Sequence, residues 1–194
     1  MEPSELVAAL ISAGAVWLTA VRNPLCWPAG LLSVIVYAGI FVNARLYSDA
    51  LLQVVFAVLL VYGWWHWKRS PGADAAQLVV RTGTPREYVL PLGLAAVGAA
   101  ALGGFMGRFT DAALPWLDAT LTALSLVAQF RMSRRLRANW LMWIAVDVVY
   151  TGVYWVKALP VTAVLYVVFI VLAVLGWRRW GRSAGVRAQA GTVA

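Results

Sequence analysis

The sequence has little charge, one cysteine and one histidine. Only 12% of its 194 residues are Asp, Glu, Lys or Arg, against about 25% in an average soluble domain. The lone Cys26 excludes an internal disulfide and a cysteine-based metal cluster, and the lone His66 excludes multi-histidine metal chemistry. This composition argues against a water-soluble enzyme domain, a disordered protein and a nucleic-acid-binding module.

Apolar residues are abundant instead. They make up 62% of the chain, and the mean hydropathy is +0.77. A membrane-spanning helix needs about 20 predominantly apolar residues, and seven segments meet this requirement. They are 5–21, 24–42, 49–67, 88–107, 114–130, 139–156 and 159–177. We therefore expect an all-α membrane protein with seven transmembrane helices. Because the N-terminus is acidic, without a basic region before the first apolar run, that run is expected to stay as a helix.

The basic residues predict the orientation of these spans. Seven spans place three Lys and Arg residues on the side of the N-terminus and thirteen on the other side. Because the basic side of a membrane protein faces the cytoplasm, we expect the N-terminus outside and the C-terminus inside. Four tryptophans at helix ends are expected to anchor the chain at the membrane interface. These are Trp64, Trp67, Trp177 and Trp180.

An internal repeat predicts the architecture. Residues 54–69 and 167–182 are identical at ten of sixteen positions, with an offset of 113, and both contain Gly-Trp-x-x-Trp. A second match, Asn23–Trp27 with Asn139–Trp143, has an offset of 116 and implies a three-residue gap. Both Gly-Trp-x-x-Trp motifs fall on the basic side, so the two three-helix units run in parallel and one helix joins them. This predicts a 3+1+3 arrangement, and parallel repeats are a known transporter design.

The repeat also sets the expected domain organisation. Residues 1–69 form the first three-helix repeat, 70–110 a cytoplasmic loop and linker helix, 111–182 the second repeat, and 183–194 a flexible basic tail. The linker segment is rich in Gly and Ala, which favours close helix packing.

Polar residues within apolar segments mark the candidate binding site, because such groups normally face a cavity or a partner. Two stripes have helical spacing. They are Asp118, Thr122, Ser125 and Gln129, and Trp143, Asp147, Tyr150 and Tyr154, with Trp140 one turn earlier. Aromatic rings and carboxylates suit a small, flat, cationic, hydroxyl-rich solute. Structural roles remain open: Asp118 at the outer interface, Gln129 as a cap, and the tyrosines as packing donors. His66 is expected to be structural, so an enzyme is not expected.

At these motifs the chain resembles the PnuC family of bacterial nicotinamide riboside transporters. The resemblance lies in residues 23–38, 46–56, 62–69, 118–130, 139–159 and 162–180. It implies a 3+1+3 fold akin to SWEET-type sugar transporters, a homotrimer in the bacterial inner membrane, and no cofactor. It also implies facilitated diffusion, with the solute trapped inside by phosphorylation.

The resemblance further implies a set of substrate-binding residues. By position these are Trp27, Gln53, Gln129, Trp140, Trp143, Asp147 and Tyr150. The family also includes relatives that carry thiamine or riboflavin, so the resemblance leaves the solute open. A proton-coupled carrier, with Asp118 or Asp147 exchanging protons, is a second open alternative.

Overall fold

The computed structural model describes residues 3–43, 47–69, 80–110, 114–156 and 160–190, which form seven helices. These are α1 (Pro3–Ala20), α2 (Cys26–Asn43), α3 (Tyr47–Lys68), α4 (Pro85–Phe109), α5 (Pro115–Ser133), α6 (Asn139–Val156) and α7 (Pro160–Ala190). Each predicted segment coincides with one helix, which confirms the all-helical fold.

Two helices extend furthest beyond the predicted segments. Helix α4 begins at Pro85 rather than at 88, because proline is well suited to a first helical turn and the Glu87 carboxylate accepts the Thr84 backbone N–H at 2.9 Å. Helix α7 continues to Ala190, so residues 183–190, predicted as part of a tail, are helical. Ala, Arg and Gln in this stretch are good helix formers. Residues 70–79 of the predicted loop and 191–194 of the predicted tail lie outside the described residues.

Within the described ranges, four helices are long and apolar enough to cross a membrane. The stretches are Cys26–Asn43, Ala50–Lys68, Pro85–Phe109 and Thr162–Arg182, and Leu6–Ala20 is a shorter apolar helix. Helices α5 and α6 do not meet the same criterion, because they carry the polar stripes that include Gln129 and Asp147. The multi-pass character is thus confirmed, and the two less apolar helices are those in which the sequence placed the polar stripes.

The helices pack in a closed ring. Along the ring the order is α1, α2, α3, α5, α6 and α7, and α7 returns to α1. Within the described residues, α4 packs against α5 alone. Exchanging α1, α2 and α3 with α5, α6 and α7 leaves the order of contacts in the ring unchanged. We call α1–α3 the first half and α5–α7 the second half.

The helix boundaries repeat with an offset of 113. Helix α2 begins at Cys26 and α6 at Asn139, and they end at Asn43 and Val156. Helices α3 and α7 begin 113 residues apart as well. The predicted three-residue gap was therefore wrong, since one offset aligns α2 with α6 and α3 with α7.

The turns after α1 and α5 are also alike. Arg22 has φ 62° and Arg135 has φ 61°, a left-handed conformation that is uncommon for residues other than glycine. The Arg22 N–H donates to the Thr19 carbonyl and the Arg135 N–H to the Met132 carbonyl, both at 3.0 Å. Each turn thus caps its helix in the manner of a left-handed C-terminal cap.

A cluster of four buried tryptophans joins the two halves near the end of α3 and the beginnings of α2 and α6. The tryptophan cluster consists of Trp27, Trp67, Trp140 and Trp180, each at most 1% exposed. The rings of Trp27 and Trp67 meet edge-to-face at 5.1 Å, and those of Trp140 and Trp180 at 5.4 Å. Trp67 and Trp180 lie 6.3 Å apart and link the two pairs. The prediction of interfacial anchoring was therefore wrong for Trp67 and Trp180, because burial against other indoles replaces contact with lipid.

Glycine makes the close approach of these rings possible. A Cβ atom at Gly63 would overlap the Trp27 ring, and one at Gly176 would overlap the Trp140 ring. The glycines of both Gly-Trp-x-x-Trp motifs are thus explained by packing. Each half contributes an equivalent glycine–tryptophan contact, again 113 residues apart.

Candidate functional site

Asp147 is a carboxylate buried within the helix bundle. Its residue is 5% exposed and lies on α6, which packs against α7. Thr151 Oγ1 donates to the Asp147 backbone carbonyl at 2.7 Å, so this hydrogen bond does not involve the carboxylate. In the part of the chain that the structure describes, the one salt bridge joins Arg81 and Glu87, so no basic side chain there pairs with Asp147. Because a buried carboxylate without a cation is costly, this position favours a functional role.

Three phenol rings lie beside Asp147. The ring centroids of Tyr150 and Tyr166 are 5.0 Å apart, those of Tyr154 and Tyr166 are 5.2 Å apart, and those of Tyr150 and Tyr154 are 5.9 Å apart. The Tyr166 hydroxyl is hydrogen-bonded to Tyr154 and within electrostatic reach of Asp147. We call Asp147 and these three tyrosines the acidic aromatic site. Helices α6 and α7 together build it.

Two tyrosines of this site, Tyr154 and Tyr166, are absent from the predicted substrate-binding set. Tyr154 belongs to the polar stripe of α6 that the spacing predicts. Tyr166 lies on another helix, so spacing along α6 could not reveal it. The offset of 113 could have drawn attention to Tyr166, because it makes Tyr166 equivalent to Gln53 of the predicted set.

A second group of rings lies where α3 packs against α5. Tyr62 stacks on His66 and on Phe130, with centroid distances of 5.8 Å in both cases. Gln129 is half-buried beside Phe130 in the α5 sequence. Gln53 is half-buried on α3, nine residues before Tyr62, or about 13 Å along the helix axis. The structure therefore places the two predicted glutamines on neighbouring helices.

The predicted tryptophans have different surroundings. Trp27 and Trp140 are fully enclosed in the tryptophan cluster. Trp140 is seven residues before Asp147 on α6, about 10 Å along the axis. Trp143 is half-buried, packs against the same core, and lies one turn before Asp147. Trp143 thus lies between the tryptophan cluster and the acidic aromatic site.

A cavity of about 570 Å³ lies elsewhere, between α4 and α5. Gly103 and Gly104 line it together with Arg108 and Trp116. None of the predicted substrate-binding residues contributes to it. Among the residues that the structure describes, no group of three or more His, Cys, Asp and Glu side chains could hold a metal ion.

The ring of helices and the polar groups inside it define a class of protein. Apolar helices that enclose a buried carboxylate and several phenol rings are typical of membrane transporters for small polar solutes. The family model described as nicotinamide mononucleotide transporter matches residues 2–182 of the chain. The chain belongs to this family, and it is a transporter rather than an enzyme.

Characterised relatives agree with this assignment. The chain is 26% identical to the nicotinamide riboside transporter PnuC of Escherichia coli K12, over 93% of this chain and 84% of that protein. It is 30% identical to the riboflavin/roseoflavin transporter RibM of Streptomyces davaonensis, over 82% of this chain and 75% of that protein.

A solved structure is similar as well. The crystal structure of the vitamin B3 transporter PnuC superposes with a TM-score of 0.74 at 25% identity. The match covers 92% of this chain and 80% of that chain. The predicted resemblance to the PnuC family is thereby confirmed.

Proposed function

We propose that the protein takes up nicotinamide riboside across the bacterial inner membrane by facilitated diffusion. The observation that carries this proposal is the buried Asp147, which forms no salt bridge with the described basic residues, beside three phenol rings. Nicotinamide riboside combines a flat pyridinium cation with a hydroxylated sugar. A carboxylate complements the cation, and aromatic faces attract it.

The proposal includes a 3+1+3 arrangement of two parallel halves, with α4 as the linker. Three observations support it: the unchanged order of contacts when the halves are exchanged, the common offset of 113, and the position of α4 outside the ring. The Lys and Arg distribution supports an outer N-terminus and an inner C-terminus. On this orientation the tryptophan cluster lies at the cytoplasmic end.

Alternating access then requires the tryptophan cluster to part. Trp67 Nε1 of the first half donates to the Ser133 carbonyl of the second half at 3.1 Å. Trp180 Nε1 of the second half donates to the Thr19 carbonyl of the first half at 3.2 Å. Each half is thus fastened to the other at this end, so opening toward the cytoplasm breaks both hydrogen bonds together.

Within this scheme the predicted residues divide into two groups. Asp147, Tyr150 and Trp143 bind the solute, with Gln53 and Gln129 as amide partners for its hydroxyl groups. Trp27 and Trp140 act at the inner gate, because the cluster encloses them. Solute entering the cell is trapped by phosphorylation, and the protein itself needs no cofactor. A homotrimer is part of the proposal on the family resemblance alone.

Riboflavin is the second candidate, favoured by the 30% identity to RibM. Thiamine and a proton-coupled carrier are further alternatives. Riboflavin is neutral, whereas nicotinamide riboside and thiamine are cationic, so Asp147 favours the latter two.

Binding of the three vitamins to the purified full-length protein, by calorimetry, tests the assignment. We expect nicotinamide riboside to bind most tightly. Preferred binding of riboflavin would overturn the proposed substrate and leave the transporter assignment intact. Uptake into proteoliposomes that needs an imposed proton gradient would overturn facilitated diffusion.

A further inference from the structure

The hairpin between α5 and α6 holds an unusual number of buried polar atoms without partners. These atoms have no hydrogen-bond partner within the described part of the chain. They are Arg131 Nε and Nη2, Arg135 Nε and Asn139 Oδ1. Trp140 Nε1 is unpartnered too, but so is the equivalent Trp27 Nε1 of the first half, so that feature is common to both halves. A buried donor or acceptor left unsatisfied costs about 1–3 kcal/mol, and more when it is charged. So many unsatisfied polar atoms in one hairpin need a physical explanation.

The equivalent hairpin between α1 and α2 shows that the fold itself does not require a buried arginine here. Its backbone hydrogen bonds correspond: Asn23 N–H donates to the Leu18 carbonyl, and Leu136 N–H to the Arg131 carbonyl. At the offset of 113, however, Leu18 stands where the second half has Arg131. The same turn therefore forms with a leucine at this position. The guanidinium of Arg131 is an addition that packing does not require.

The groups that contact the Arg131 guanidinium on one side are only weakly polar. It is 2% exposed, its guanidinium lies 4.0 Å from the centre of the Tyr88 ring, and Nη1 lies 2.9 Å from Met142 Sδ. The nearby carboxylate of Glu87 is engaged elsewhere, since it forms a salt bridge with Arg81 at 3.1 Å. The buried guanidinium of Arg131 is thus left without a carboxylate of its own to balance its charge.

Among the described residues, the charges around the hairpin are positive except for that of Glu87. Arg134, Arg135 and Arg137 follow Arg131 in sequence and are half-buried. Burial and, to a smaller extent, the charge of Arg81 lower the pKa of Arg135. The Arg81 backbone is fixed to this hairpin, because its N–H donates to the Arg135 carbonyl and its carbonyl accepts from the Arg137 N–H, both at 3.0 Å. An anion bound here would relieve the accumulated repulsion.

We propose that Arg131 anchors a binding site for a phosphate group on the α5–α6 hairpin. Its Nε and Nη2 atoms lie along one edge of the guanidinium, the edge that binds phosphate or carboxylate oxygens in bidentate fashion. The group belongs either to an anionic lipid headgroup or to a free phosphate in the cytoplasm, because both offer the same oxygens. The site is independent of the vitamin that the protein carries.

Thermal unfolding of the full-length protein tests this site. Two probes distinguish the sources: inorganic phosphate added to protein in detergent, and nanodiscs with phosphatidylglycerol compared with phosphatidylcholine. We expect one of them to raise Tm by about 5 °C at saturation. A rise with phosphate identifies a soluble ligand, and a rise with phosphatidylglycerol alone identifies a lipid.

Two variants locate the effect. Arg131→Leu installs the residue of the equivalent hairpin, so it is expected to fold and to lose the rise in Tm. Arg134→Leu removes the same charge from the same hairpin and is expected to keep it. Should Arg131→Leu fold poorly, Arg131→Lys, which keeps the charge but lacks the fork, is expected to show a reduced rise. The proposal is overturned if neither probe shifts the Tm of the unmodified protein, or if Arg131→Leu responds as strongly.

Discussion

The two halves share a scaffold and differ in the polar groups that they carry. Both have a glycine–tryptophan contact, an edge-to-face pair of indoles and a left-handed turn after the first helix. The stacked pair Tyr37–Phe41 on α2 even matches the stacked pair Tyr150–Tyr154 on α6, with the same centroid distance of 5.9 Å. The geometry is thus repeated down to the aromatic packing.

The chemistry is not repeated. At the offset of 113, Val34 is the counterpart of Asp147, and Phe41 is the counterpart of Tyr154. Residues that hold the ring together therefore occur in both halves, whereas the ionisable group occurs in one. A duplicated scaffold that carries a one-sided site allows the scaffold and the site to be tested separately by equivalent substitutions in each half.

The largest effect is expected for the shared glycines. Gly63→Ala and Gly176→Ala each place a Cβ atom inside an indole ring of the tryptophan cluster. Because neither ring has room to shift within the cluster, we expect a loss of about 1–3 kcal/mol or more in stability, similar for both variants. The yield of folded protein and its Tm measure this loss.

Matched controls exist at equivalent positions. Gly39 and Gly152 are 113 residues apart, and a Cβ atom at either meets nothing within 4 Å. Gly39→Ala and Gly152→Ala should be neutral or slightly stabilising, by up to about 1 kcal/mol, through helix propensity. If Gly63→Ala were tolerated and Gly176→Ala were not, the scaffold would not be equivalent in the two halves.

The second effect separates the halves. Asp147→Asn keeps the shape of the side chain and removes its charge, so binding of a cationic solute should fall by about tenfold or more, while folding is largely kept. Uptake and binding of nicotinamide riboside by correctly inserted protein measure the change. Val34→Thr, at the equivalent position of the first half, serves as the control and should bind normally. Undiminished uptake by Asp147→Asn would show that the negative charge does not contribute to solute binding.

A smaller and symmetric effect is expected at the inner gate. Trp67→Phe and Trp180→Phe each remove one indole N–H that fastens one half to the other. Loss of one such hydrogen bond costs about 1 kcal/mol, and the smaller ring leaves part of a buried site unfilled. We therefore expect Tm to fall by at least about 2–4 °C. Because the lost hydrogen bond weakens the contact between the halves at the closed inner end, we expect transport to become faster. Slower transport by both variants would contradict a gating role for the tryptophan cluster.

Much of the scaffold could be predicted from the sequence, because helices and repeats follow from local patterns. Apolar runs gave all seven helices, and the Gly-Trp-x-x-Trp motifs gave the offset that the helix boundaries follow. The burial of Trp67 and Trp180 could not be predicted. A tryptophan near a helix end is compatible with a lipid interface or with a core, and only the helix across the ring decides between them.

The candidate site could be predicted only in part, because sequence patterns report on one helix at a time. Asp147 and Tyr150 share a face of α6, so their spacing revealed them. Tyr166 comes from α7, and no periodicity within one helix reports a contact between two helices. The buried polar atoms at Arg131 were missed as well, since four arginines in one connection are also the usual mark of a cytoplasmic loop.

The smallest effect tests a single hydroxyl. Tyr154→Phe gives the second half the residue that the first half has at Phe41 and removes the hydrogen bond to Tyr166. Because the ring and its stacking stay in place, only the fixed position of Tyr166 is lost, and a neutral hydrogen bond contributes about 0.5–1.5 kcal/mol. We expect the KM for uptake to rise about threefold with little change in Tm. The reciprocal Phe41→Tyr should leave KM unchanged, because the first half has no carboxylate at the equivalent of Asp147. An equal response of KM to both variants would mean that the solute contacts both halves alike, and that the site is as symmetric as the scaffold.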